Sequence, residues 1–225
     1  MCFSAQASFT VGAALVPAGI YCIWSAWMRK RAYLGLAIVP LIFGVQQIGE
    51  GCVWLGLAAD NQFQIRLASL FFLFFALAFW PFWFPVLTTM MEPIPRQRWI
   101  FAGVSVLATS WFWILYWPLV LDPALLETKI DHHSIRYVYD DLKIYHYIDK
   151  TPLRVLYLFS VALPPMLSSE RWARIPGLVL GVSAVLAAAI YHYAFVSVWC
   201  FFAAVLAVYL CVVFYQLPRP GTVEK

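Results

Sequence analysis

Charge is scarce in this chain. Only 12% of its 225 residues are Asp, Glu, Lys or Arg, about half the share of an ordinary soluble domain. That deficit excludes a typical globular enzyme, a disordered tail and a nucleic-acid partner, all of which need far more polar surface. No lysine falls inside an apolar stretch, so a retinal Schiff base has no amine. No glycine-rich phosphate loop, Ser-His-Asp signature or His-x-x-x-His pair can be read, which removes three more classes of chemistry. Repeats, low-complexity tracts and a soluble domain are lacking too.

What fills the chain is apolar: 64% hydrophobic and 18% aromatic residues. At about 20 residues per crossing, this length holds about seven transmembrane helices and little else. The stretches run about 9–28, 33–57, 66–91, 99–121, 153–168, 175–193 and 196–215. The expected fold is all-α, a single integral membrane domain over residues 1–225. Pro81 and Pro85 lie inside the third stretch, where a proline frees backbone carbonyls and predicts a kink.

The basic residues set the expected orientation. Arg29, Lys30, Arg31, Arg96, Arg98, Arg171, Arg174, Arg219 and Lys225 fall on one side. Arg66, Lys129, Arg136, Lys143, Lys150 and Arg154 fall on the other, most of them in or beside a loop that also holds six acids. The N-terminus is therefore expected outside and the C-terminus inside. Arg-Lys-Arg follows the first stretch, the reverse of the secretory order, so that stretch reads as an uncleaved helix. A bacterial inner membrane suits a multi-pass chain without an organellar targeting segment.

One long loop, about 122–152, lies on the outer side. Ser134–Tyr139 and Leu142–Ile148 are rich in β-branched and aromatic residues and flank Asp140-Asp141, which predicts a small β-hairpin. A two-stranded hairpin is marginal alone, so this one is expected to rest on the helix ends as a lid.

Of eleven acids, only Glu50 falls inside a stretch. Gln46 and Gln47 precede it by four and three residues, so the three side chains share a helix face. A carboxyl in hydrocarbon costs several kcal/mol unless it is neutral, paired or hydrated. One that keeps its proton is a natural acid or base. All four histidines also map outward: His132, His133 and His146 in the loop, as lid or ligand residues or simply solvated ones, and His192 at the end of the sixth stretch. Cys2, Cys52 and Cys200 belong to the outer half and Cys22 and Cys211 to the inner. Cys2 and Cys200 are the more plausible outer pair, for a disulfide or for a metal. A zinc, copper or iron ion would find its ligands among His192, Glu50, Cys2 and Cys200.

The opening Met-Cys-Phe-Ser-Ala (1–5), the Gln46-Gln47-x-x-Glu50-Gly51 helix, the Leu-Ser-Ser turn (167–169) and Phe195-Val-Ser-Val-Trp-Cys200 resemble a bacterial membrane family. Its members begin Met-Cys-Phe/Trp-Ser-Ala and have about seven helices. The resemblance covers nearly the whole chain, implies no activity, and draws attention to Cys2, Glu50 and Cys200.

Three functions follow in order of expectation. The first is a membrane enzyme or redox protein with an outward-facing site, in which Glu50 acts as acid, base or ligand and Gln46 and Gln47 orient it. Its substrate would be lipid-like or a small apolar molecule. The second is a binding module, either a sensor or a subunit that meets other membrane chains. The last is a proton-coupled transporter.

Overall fold

The computed structural model describes residues 4–131, 133–190 and 195–216, with side chains except at 187–190 and 195–205. The described residues form seven helices and one two-stranded antiparallel sheet. The helices are α1 (Ala5–Arg29), α2 (Arg31–Ala58), α3 (Gln62–Met91), α4 (Pro95–Leu121), α5 (Lys150–Leu167), α6 (Arg171–Ile190) and α7 (Phe195–Gln216). Among the described residues, four of them (α1 to α4) are long and apolar enough to cross a membrane.

Helices α2 and α3 make the enclosed middle of the bundle. Helix α1 packs along α2, and α7 packs on both; on the other flank α3 meets α4 and α5, and α5 meets α6. The α1–α2 contact is backbone against backbone: a Cβ built on Gly19 would lie 2.3 Å from the Leu41 nitrogen. Only small residues such as glycine permit two helix backbones to approach this closely.

Two helices carry the same local irregularity. A widened turn at Phe75–Phe79 in α3 leads into Trp80-Pro81, and another at Phe112–Tyr116 in α4 leads into Trp117-Pro118. In each, the tryptophan N–H bonds the carbonyl five residues back, Phe75 or Phe112. The proline ring collides with the carbonyl four residues before it, and the extra residue per turn relieves that clash. Proline has no N–H to continue the pattern to Ala76, and the Tyr157 hydroxyl of α5 donates to that carbonyl instead.

At the basic end, Glu92 follows α3 and is fully buried. Its carboxylate accepts the Ile94 N–H at 3.1 Å, the Ser169 N–H at 3.0 Å and the Ser168 hydroxyl at 2.9 Å. Burial opposes ionisation, but the Ser169 and Ile94 N–H groups and the serine hydroxyls outweigh it and hold the carboxyl below the usual Glu range. The α3–α4 and α5–α6 turns are thereby clamped together.

At the opposite end, strand β1 (Glu127–Asp131) pairs with β2 (Ser134–Val138). The hairpin exists, but its strands are not the expected pair. Ser134–Val138 pairs backward with Glu127–Asp131, and Lys143–His146 is a 3₁₀ turn rather than a strand. Asp140-Asp141 lacks the glycine or asparagine that tight hairpin turns favour, whereas His133 adopts a left-handed φ of 61° and closes the turn. The sheet does not float in solvent. Ile135 and Tyr137 are buried, Tyr137 stacks on Phe72 of α3 with centroids 5.1 Å apart, and Thr128 meets Ser69 at 3.0 Å. Behind it, burial pushes the Tyr139 phenol up to about 12, with Arg154 opposing and Asp140 adding to the rise.

Candidate functional site

Gln46, Gln47 and Glu50 lie on one face of α2, as the spacing predicts, and all three are fully buried. The neighbours of Glu50 explain its placement. A Cβ on Gly49 would sit 2.5 Å from the Phe71 ring of α3, and one on Gly51 2.8 Å from the Phe9 ring of α1. With about 100° between successive residues, Glu50 points between these two contacts, inward between α1 and α3. The Gln47 amide nitrogen lies 3.4 Å from a Glu50 carboxylate oxygen, and the Trp80 indole N–H donates to Gln46 at 2.7 Å. Both Gln46 and Glu50 make further interactions besides these.

Trp80 is held by packing. Its ring stacks on Phe43 with centroids 4.0 Å apart and planes 17° apart. The widened turn just before Pro81 sets the rotation at which it reaches Gln46.

Further buried polar groups lie on the surrounding elements. Trp54 lies one turn beyond Glu50 on the same stripe of α2, and its buried indole nitrogen has no partner among the described residues. The same holds for the buried hydroxyls of Ser8 on α1 and Ser134 at the start of β2. Helix α7 packs on α1, α2 and β2, so it touches each element that carries one of these groups. A buried donor without a partner calls for a ligand or an ordered water.

The other sequence candidates fare differently. His133 and His146 are exposed, away from the buried face. Cys2, His132 and His192 lie outside the described residues, and Cys200 lies in α7 where side chains are not described. Among the described residues no three His, Cys, Asp or Glu side chains gather as a metal site. Cys52 lines an apolar groove of about 700 Å³ between α2 and α3, with Ile48, Phe63, Leu67 and Phe71. Trp80, Trp54, Ser8 and Ser134 were not foreseen. Only Trp54 left a signal, its i+4 spacing from Glu50.

The sequence profile of a family of unknown function, DUF6629, matches residues 1–224. The chain belongs to DUF6629. Nothing among curated proteins or solved structures matches it. Membership in DUF6629 therefore carries no activity to this chain, and the chemistry has to be read from the face around Glu50.

Proposed function

We propose that the chain is a multi-pass protein of a bacterial inner membrane, with seven spans, its N-terminus outside and the hairpin end outward. Its buried face works as an acid–base site on a lipid-like or small apolar substrate. The observation that carries this reading is the fully buried Glu50 carboxyl, set beside Gln47 and in line with the Gln46–Trp80 pair. A carboxyl held among amides and an indole N–H exchanges a proton without a large change in its surroundings. The Ser8 and Ser134 hydroxyls and the Trp54 indole N–H, which have no partner among the described residues, offer hydrogen bonds to the polar part of a bound molecule. The apolar remainder of the substrate suits a bundle whose outer faces are hydrocarbon-like. A binding module without turnover is the second reading, because the same three groups would serve a ligand that never reacts.

The test is complementation of a deletion strain with wild type or Glu50→Gln, both quantified in membranes, followed by lipid and small-molecule profiling. Restoration of the profile by wild type alone, at equal protein levels, supports the acid–base role. A Glu50→Gln chain that restores the profile fully overturns it. If that chain also retains a co-purifying small molecule, the binding reading takes its place.

A further inference from the structure

The clamp at Glu92 has a second effect: it sets the starts of α4 and α6 side by side. Arg98 donates to the Glu92 carbonyl at 3.1 Å through Nε and 2.6 Å through Nη2. Arg174 donates to the Ser169 carbonyl at 3.3 Å, and the Ser169 hydroxyl lies 2.9 Å from the Gln97 amide oxygen. Two guanidinium groups are thus tethered to one clamped pair of turns. Arg96 and Arg171 stand exposed on the same two first turns. Of the acids nearby, Glu92 is buried with both oxygens bonded, and Glu170 is half-buried and accepts the Trp172 N–H at 3.3 Å. Four exposed guanidinium groups against one half-buried carboxylate leave this corner net positive.

Directly along the same helices, Trp99, Ile100, Ile175 and Leu178 are exposed. Exposed apolar side chains next to a cluster of guanidinium groups, two of them tethered, match a molecule with an anionic head and hydrocarbon tails. Guanidinium forks suit phosphate oxygens, and exposed tryptophan suits the headgroup level.

We propose that this corner binds the phosphate of an anionic phospholipid of the inner leaflet, with the acyl chains lying along α4 and α6. The proposal rests on the membrane placement given above but not on the role of Glu50.

The full chain, purified in detergent, is incubated with phosphatidylglycerol, phosphatidylcholine or inorganic phosphate and read by native mass spectrometry. Preferential retention of phosphatidylglycerol is expected, falling about fivefold for each exposed arginine removed in Arg96→Gln and Arg171→Gln. Those two side chains take no part in the clamp, so folding is preserved; matched melting curves check this. Equal retention of both lipids overturns the proposal, as does an unchanged preference in the double variant or displacement of lipid by free phosphate at the same concentration. Cell fractionation on the same strain separates the two readings. A chain absent from membranes overturns the membrane placement, whereas a membrane-bound chain without lipid preference overturns this proposal alone.

Discussion

Trp80 of α3 donates its indole N–H to the Gln46 side chain of α2 at 2.7 Å, and the acceptor lies one helical turn from Glu50. The bond joins two helices through groups that are almost wholly buried. Trp80→Phe and Gln46→Met, singly and together, form a double-mutant cycle. The expected coupling is about 0.5–1.5 kcal/mol, the range of hydrogen bonds between membrane helices. Denaturant unfolding in detergent micelles measures it, and a coupling near zero would remove the bond from the stability of the bundle.

The Ala76 carbonyl, which Pro81 cannot serve, takes the Tyr157 hydroxyl. Tyr157→Phe is therefore expected to destabilise the native chain by about 1 kcal/mol or more, since it strands a buried carbonyl. In a Pro81→Ala background the restored N–H can reach Ala76, and the same substitution should cost clearly less. Equal costs in both backgrounds would show that the hydroxyl does not replace the missing donor.

Two glycines should respond in opposite directions. Gly19→Ala places a methyl 2.3 Å from the Leu41 nitrogen and 2.5 Å from its Cα, so α1 must move off α2. The expected loss is about 1–3 kcal/mol, as for overpacked cores. A Cβ on Gly103 in α4 meets nothing within 4 Å. Gly103→Ala should be neutral or raise stability by up to about 1 kcal/mol through helix propensity. Melting temperatures of the two variants in one detergent decide the matter.

Much of this architecture could be read in the chain beforehand, for physical reasons. Long apolar stretches announce helices by their length, and the Gln46, Gln47 and Glu50 face follows from helix geometry alone. The hairpin was half legible. Ser134–Val138 alternates toward a buried side, but its partner Glu127–Asp131 is charged at three of five positions and reads as a solvated segment despite the β-branched Thr128 and Ile130 between the charges. Trp80 could not be matched to Gln46, because the pairing depends on how α2 and α3 pack and on a turn widened by Pro81. Glu92 was hidden most completely. It stands one position past Met91, where an acid reads as a solvated helix end, and its serine partners lie 76 and 77 positions further on.

Glu92 also predicts a pH dependence. Its folded-state carboxyl titrates below the ordinary Glu value, because the hydrogen bonds that favour the charged form outweigh its burial. The stabilisation is therefore fully present above the unfolded value and is lost as pH falls through the lowered folded one. Glu92→Gln should melt below wild type at neutral pH, by about 1–3 kcal/mol if the Ser169 N–H is left unserved. The gap should close as the medium is acidified. A gap independent of pH would mean that shape rather than charge holds the turns.

The span between Glu92 and Ser168 has a bearing on how the chain is made. The carboxylate leaves the ribosome long before the hydroxyl and N–H groups that will receive it, with a fourth helix, the hairpin and a fifth helix still to come. On the membrane placement proposed above, the turn after α3 until then presents a water-seeking carboxylate close to Arg96 and Arg98 at the membrane surface, and that charged turn would stay on its own side while the later segments are inserted. The bond that fastens the finished bundle thus begins as an anchor for the unfinished one.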